Sequence, residues 1–90
     1  MSDLEIPRRI QIFKNLSHGQ MLYSNTHCQN NGKDPLRVRV TGKVQTWKTR
    51  PEEFKVPVKH GLRDSGYITH LDHMHWELDE DVARQKLGLK

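Results

Sequence analysis

Apolar and polar side chains alternate most regularly between residues 36 and 47. Leu36, Val38 and Val40 are separated by single arginines, which is the two-residue period of a strand that buries one face. Thr41-Gly42 interrupts the alternation, and residues 43–47 resume it. The pattern therefore predicts two antiparallel strands joined at Thr41-Gly42.

The turn at Gly42 leaves two registers open. If Gly42 takes a left-handed conformation in a bulged turn, Val38 faces Val44 and Trp47 lies on the exposed face. A plain two-residue Thr-Gly turn places Trp47 on the apolar face instead. The register therefore decides whether Trp47 belongs to the core or to the surface.

Weaker patterns predict the remaining elements. Strands are expected at residues 9–14, 20–26, 54–59 and 67–70, with the turn-forming run of residues 30–35 between two of them. Pro57 cannot donate to a ladder, so its strand is expected at a sheet edge. Residues 49–52 fit a capping box that opens a short helical turn, and Asp79 and Gly88 fit the two caps of a C-terminal helix. Residues 71–77 form either a separate helical turn or part of that helix.

Together these elements predict a β-rich α+β fold. The expected architecture is a small curled antiparallel sheet of four or five strands, open or barrel-like, with a C-terminal helix covering one side. Residues 1–8 are expected to be a flexible arm and residues 9–90 a single domain, since folded domains run upward from about 50 residues. The expected core consists of Ile10, Ile12, Leu36, Val38, Val40, Val44, Phe54, Val56, Tyr67, Ile68 and Leu78.

Charge is unevenly distributed along this chain, whose net charge is +4. Residues 33–63 hold nine Lys and Arg against three acidic residues, whereas residues 64–90 hold three against six. A basic middle suggests a surface that faces a polyanion or an acidic partner, although a merely solvated surface has the same composition.

Cysteine usage and hydropathy indicate the compartment. Cys28 is the only cysteine, which excludes an intrachain disulfide and favours a reducing environment. No apolar run reaches the roughly 20 residues of a membrane span. A cytoplasmic protein with no membrane partner is therefore expected.

Neither catalysis nor metal binding has a specific motif. The six histidines include His70, His73 and His75, which with Cys28 could form a zinc ligand set, but their spacing matches no standard zinc finger. Cys28 follows His27 directly, and adjacent side chains tend to turn apart, so the two are not expected to act as a nucleophile and its base. The sequence also contains no glycine-rich phosphate loop and no nucleophile elbow. We therefore expect no enzyme, catalytic residue, metal or cofactor, and a histidine-based metal-dependent enzyme is the distant alternative.

The basic hairpin is the strongest functional signal. Cations at alternate strand positions beside a tryptophan suit nucleic acid, because cations contact phosphates and aromatic rings stack on bases. The expected binding surface consists of Arg37, Arg39, Lys43, Gln45, Trp47, Lys48 and Arg50. The same residues would suit docking on an acidic protein, since Trp and Arg are favoured interface anchors.

The run KVQTWKTRPEEFKVPVKHGL at residues 43–62, followed by GYIT at residues 66–69, resembles a group of small uncharacterised proteins of tailed bacteriophages. These proteins pair a Thr-Trp-Lys-Thr-Arg-Pro block with a Pro-containing strand and a Gly-Tyr-Ile-Thr strand. The resemblance implies a viral accessory protein in the cytoplasm of a bacterial host. We therefore expect a non-enzymatic module that binds nucleic acid, with an inhibitor or modulator of a host protein as the alternative.

Overall fold

The structure, a computed structural model, describes residues 2–61 and 64–89, with side chains from Arg8 onwards. The elements in chain order are α1 (Ser2–Lys14), β1 (Met21–Gln29), β2 (Asp34–Val40), β3 (Gln45–Trp47), β4 (Arg50–His60), β5 (Asp64–Thr69), a 3₁₀ turn (His73–His75), β6 (Trp76–Glu77) and α2 (Glu80–Leu87). The six strands form one antiparallel sheet: β4 pairs with β5 along one edge and with both β2 and β3 along the other, and β1 and then β6 follow beyond β2. The predicted β-rich α+β fold with a C-terminal helix is confirmed, and the sheet is open rather than a closed barrel.

The N-terminal segment is a helix, so the strand predicted at residues 9–14 is wrong. Helix α1 begins at Ser2 and therefore also takes in most of the segment that was expected to be an arm. Ile10 and Phe13 are three residues apart, which places both on one helical face, and Phe13 is fully buried with its ring 5.9 Å from that of Phe54. An apolar run this short fits a strand and a helix equally well, and its contact with Phe54 decides between them.

The predicted hairpin at Thr41-Gly42 is also wrong. Strands β2 and β3 lie along the same edge of β4, with Val40 opposite Val58 and Gln45 opposite Lys55. Residues 41–44 are an irregular bend within this long strand, and the chain reverses at residues 48–49 instead.

Two further predictions depended on that hairpin and are also wrong. Val38 and Val44 do not pair, although both are buried in the core. The helical turn expected at residues 49–52 is replaced by the start of β4 at Arg50. The actual reversal, Lys48-Thr49, contains none of the Gly, Asn or Pro signals that mark turns, which is why the sequence pattern misplaced it.

Pro57 lies in an interior strand, contrary to the edge position expected for it. Strand β4 pairs with β2 and β3 on one side and with β5 on the other. The carbonyl of Pro57 accepts a hydrogen bond from Thr41 N–H at 2.9 Å. Because the N–H and C=O of one strand residue point to the same side, the donor that proline lacks would face the irregular bend at residues 41–44. The bend therefore accommodates the proline without losing a ladder bond.

The core lies between α1 and one face of the sheet. Its buried apolar members are Phe13, Leu22, Val38, Val40, Val44, Phe54, Val56, Val58 and Ile68. Six of the predicted core residues are confirmed in this set, while Ile10 and Leu36 are half-buried. Three predicted members are exposed instead, namely Ile12, Tyr67 and Leu78. In each case a residue next to it in the chain has the buried side chain.

Helix α2 has the caps that the sequence predicts. The side chain of Asp79 accepts a hydrogen bond from Asp81 N–H at 2.8 Å, and Gly88 takes a left-handed conformation with φ of 77°. The helix packs against β1, β2 and β6, with Ala83 fully buried. No helix in the described part of the chain is long and apolar enough to cross a membrane.

Candidate nucleic-acid interface

The face of the sheet opposite α1 carries most of the candidate residues, and we call it the outer face. Strand alternation turns Arg37 and Arg39 away from buried Val38, and turns Lys55 and Lys59 away from buried Val56 and Val58. The antiparallel register aligns these side chains in rows across the strands. One row is Met21, Arg39, Lys59 and Ser65, and a second is Gln45, Lys55 and Thr69. Shorter rows are Glu77, Tyr23 and Arg37, and Pro57 with Tyr67.

Three cations meet at the centre of the outer face. Arg39 lies directly opposite Lys59 across the β2–β4 pair, and Arg37 is two residues along β2. These three side chains border a depression of about 360 Å³, which is also lined by Gln29 and His60. None of the three forms an ion pair with a side chain that the structure describes.

These three cations therefore have no direct ion-pair partner among the described residues, although the charge of Arg37 also acts on Asp34. Like charges directly opposite each other on a sheet are destabilising, so the arrangement costs the fold stability rather than adding to it. Guanidinium and ammonium groups around a depression are also the groups that bind phosphate oxygens. The arrangement can hold an anionic group at the middle of the sheet.

Aromatic rings lie beside these cations. Tyr67 is 52% exposed, and the Lys55 ammonium lies 4.3 Å from its ring centroid. Trp47 is 38% exposed on the edge strand β3, where it borders a shallow groove with Lys43 and Gln45. Trp47 is thus a surface residue, which answers the question that the two hairpin registers left open. Exposed rings next to cations are suited to stacking on nucleobases.

All seven residues of the predicted binding surface are exposed. The register places Arg37, Arg39 and Gln45 on the outer face, on strands β2 and β3. Trp47 follows a register shift in β3 and lies opposite Arg50, so it is an exposed residue of the sheet edge. Lys43 lies in the bend between β2 and β3, and Lys48 in the turn between β3 and β4. Arg50, the first residue of β4, forms an ion pair with Glu53 at 3.3 Å, so its charge is partly balanced.

Sequence reasoning missed Lys55, Lys59 and Tyr67. Each belongs to a strand that joins the outer face only through long-range pairing with β2 or β4. A signal was present: Lys55 and Lys59 alternate with apolar residues in the same way as the two arginines of β2. The proline between them led that strand to be placed at an edge, away from the arginines.

A second polar cluster ties the ends of the chain together. The carboxylate of buried Glu77 accepts hydrogen bonds from Lys86 at 2.8 Å and Asn25 at 2.5 Å, and lies 3.7 Å from the Arg9 guanidinium. Burial raises the pKa of Glu77, but these partners outweigh burial and the pKa is lowered overall. Glu77 is therefore an ionised structural link between α1, β1 and α2.

The histidines do not converge on a common site. His73 is buried against Phe13 and Phe54, and its Nδ1 accepts a hydrogen bond from Arg9 Nε at 3.2 Å. Burial, followed by the charge of Arg9, lowers the pKa of His73. Within the described ranges, no group of three or more His, Cys, Asp or Glu side chains is arranged to hold a metal ion.

Comparison with known proteins gives one distant similarity. In an alignment 82 residues long that covers 86% of this chain, the sequence is 22% identical to a probable cytoplasmic threonine–tRNA ligase of Arabidopsis thaliana. The matched segment spans 17% of the length of that protein. No protein-family model and no solved structure matches the chain.

Proposed function

We propose that this protein is a non-enzymatic module that binds nucleic acid through the outer face of its sheet. The observation that carries the proposal is the cationic centre, where Arg39 and Lys59 lie directly opposite each other with Arg37 beside them and no described carboxylate in contact. A phosphate bound between these groups removes the repulsion that the free protein carries. The unfavourable pairing is thus converted into binding free energy.

The aromatic side chains favour a single-stranded segment over a duplex. Tyr67 presents an exposed ring on the same face as the cations, and Trp47 presents one at the neighbouring sheet edge. Base–aromatic stacking contributes about 1–3 kcal/mol per base. Bases within a duplex are already stacked on one another and are not accessible to rings on a flat sheet. The cations would contact phosphates along the strand while the rings stack on its bases.

RNA is the first candidate for the strand. The distant relative is by its name a tRNA ligase, so it acts on an RNA, and the similarity extends over most of this chain. The segment is a small part of that protein, and we carry none of its ligase activity to this chain. The resemblance to tailed-phage proteins supports action in the cytoplasm of a bacterial host, as an accessory protein.

Binding of short single-stranded RNA, single-stranded DNA and duplex DNA, measured by fluorescence anisotropy, tests the proposal. The double variant Arg37→Glu/Arg39→Glu should bind at least tenfold more weakly than the wild type, with an unchanged fold. The control variant Arg8→Glu/Lys33→Glu changes the net charge by the same amount at exposed positions away from the outer face and should lose much less affinity. Equal losses in the two variants would contradict a defined site on the outer face.

Docking on an acidic host protein is the alternative use of the same surface. Affinity capture from a bacterial lysate, with and without nuclease treatment, separates the two. Nucleic acid that co-purifies with the wild type, and not with Arg37→Glu/Arg39→Glu, supports the proposal. A protein partner whose capture survives nuclease treatment and is lost in the same variant would replace nucleic acid with that protein.

A further inference from the structure

The face of the sheet that packs on α1 is only half covered by that helix. Phe13 packs over Phe54 at one end. Towards the other end, a cavity of about 400 Å³ lies between the sheet and the segment that contains the 3₁₀ turn. Its apolar walls are Leu36, Val38, Val58, Ile68 and Trp76. The volume lies within the range of about 300–1,000 Å³ that is typical of small-molecule sites.

Gly66 keeps this cavity open. It lies on β5 directly opposite Val58, on the same face as Ile68, where any other residue would project a side chain into the cavity. No atom lies within 4 Å of the position that its Cβ would take. Glycine within a strand weakens the strand and often marks the close approach of a ligand.

The polar groups of the cavity are suited to a neutral ligand. Asp64 and His75 line it, and neither side chain has a hydrogen-bond or ion-pair partner in the described part of the chain. His27 also lines it, with Nδ1 engaged by the Thr26 hydroxyl at 2.8 Å, which leaves Nε2 for another partner. None of the lining residues that the structure describes is Lys or Arg, so no cation is placed there to bind a phosphate.

We infer that this cavity binds a nucleobase, with its ring faces against the apolar walls and its polar edge towards Asp64, His75 and His27. A carboxylate accepts from amino or imino groups of the base, and an imidazole either donates to or accepts from its ring nitrogens and carbonyls. A flat heteroaromatic ring with both donors and acceptors on its edge satisfies apolar walls and a mixed polar rim together. The choice of a nucleobase among such rings rests on the proposed function, in which the ligand is a nucleic-acid strand.

Val38 and His60 border both the cavity and the cationic depression, whereas Asp64, Gly66 and His75 border the cavity alone. Substitutions at these three positions therefore test the cavity separately from the cationic centre. Gly66→Leu should fill the cavity without backbone strain, because Gly66 is not at a positive φ and the space in front of it is open. Asp64→Ala/His75→Ala removes the free polar groups without breaking a side-chain bond of the described fold. Thr46→Val, at an exposed position of edge strand β3, is a control for a more apolar side chain on the sheet outside the cavity.

The experiment is a titration with adenosine, guanosine, cytidine and uridine, followed by the NMR signals of the Gly66 amide and the Trp76 indole. At least one nucleoside should shift both signals in a saturable manner, and its 5′-monophosphate should bind no more tightly. Asp64→Ala/His75→Ala should weaken binding at least tenfold, as should Gly66→Leu if it is folded, whereas Thr46→Val and Arg37→Glu/Arg39→Glu should not.

Failure of the inference is distinguishable from failure of the proposed function. If no nucleoside shifts these signals at millimolar concentration while RNA still binds the outer face, the cavity does not take a nucleobase and the proposed function stands. If the monophosphate binds much more tightly than the nucleoside, or if both polar and filling variants bind normally, the inference is also wrong. If the wild-type protein does not bind RNA at all, the proposed function is refuted instead.

Discussion

Arg39 and Lys59 are cross-strand neighbours at the centre of the outer face, although like charges in this position repel each other. The other cross-strand neighbours of this row are Met21 and Ser65, and neither supplies a negative charge. Because the fold gains nothing from the pair, its effects on stability and on binding should be opposite in sign.

Removing one of the two charges should therefore stabilise the free protein and weaken binding. Lys59→Gln keeps most of the side-chain volume and should raise the free energy of unfolding by about 0.2–1 kcal/mol, measured by urea denaturation at low salt. Its affinity for RNA should fall in the same sample. Lys33→Gln, in an exposed turn, should change neither. A Lys59→Gln protein that is less stable than the wild type would show that the pair does not carry the repulsion described.

Trp47 should contribute to binding and not to folding. Its side chain is 38% exposed on an edge strand, so Trp47→Ala should lower the melting temperature only slightly. Loss of one stacked base should reduce the affinity for single-stranded RNA by about 1–3 kcal/mol, measured by anisotropy, with Thr46→Ala as the neighbouring control. Marked unfolding of Trp47→Ala would instead identify the ring as part of the core.

Phe13 should be the main anchor of α1. Phe13→Ala removes a fully buried ring that stacks on Phe54 and should cost about 3–5 kcal/mol of unfolding free energy. Ile12→Ala, at the adjacent and 43% exposed position of the same helix, should cost about 0.5 kcal/mol or less. Similar losses at the two positions would contradict a helix that buries Phe13 and exposes Ile12.

His73 should make stability depend on pH near neutrality. In the folded protein its pKa is lowered from 6.5, first by burial and then by the charge of Arg9, and the proton would have to enter at the Nδ1 atom that accepts from Arg9. The unfolded chain therefore binds more protons than the folded chain once the pH falls below about 6.5. The stability that neutral His73 contributes to the fold is fully present above about pH 6.5, the unfolded pKa. It is lost as the pH falls through the lowered pKa of the folded protein.

This prediction is checked by urea denaturation across the range of about pH 5 to 8. The wild type should lose stability towards acid, and His73→Gln should lose less over the same range. His18→Gln, at an exposed position, should follow the wild type. A wild type and a His73→Gln variant with parallel pH profiles would show that His73 is not the responsible group.

Local patterns were sufficient for the parts of the fold that depend on neighbouring residues. The caps of α2 at Asp79 and Gly88, the turn after β1 and the alternation along β2 were all predictable, because each depends on a few adjacent residues. In that turn Asn30 and Asn31 take positive φ values of 55° and 58°, as turn-forming asparagines do. What failed was the pairing on the other side of β2: its second partner, besides β1, is β4 and not residues 43–47, and no local feature encodes a partner this distant in sequence.

The candidate site shows the same division. That Arg37 and Arg39 are exposed follows from the alternation of β2 alone. That they face Lys59 and lie on one surface with Tyr67 depends on the pairing of β4 with both β2 and β5. The ionised Glu77 and the cavity beside Gly66 likewise require three-dimensional proximity between segments that are remote in the chain.

The salt dependence of RNA binding tests the central claim most directly, because it counts the phosphate contacts that the outer face makes. We predict a steep linear fall of log affinity with log salt concentration for the wild type, measured between about 50 and 200 mM. The double variant Arg37→Gln/Arg39→Gln should have a slope smaller by roughly 1.4, since each lost contact with a single strand removes about 0.7, and the exposed control Arg8→Gln/Lys33→Gln should keep the wild-type slope. A wild-type affinity that is insensitive to salt, or a slope that is unchanged in Arg37→Gln/Arg39→Gln, would contradict phosphate binding at the cationic centre of the outer face.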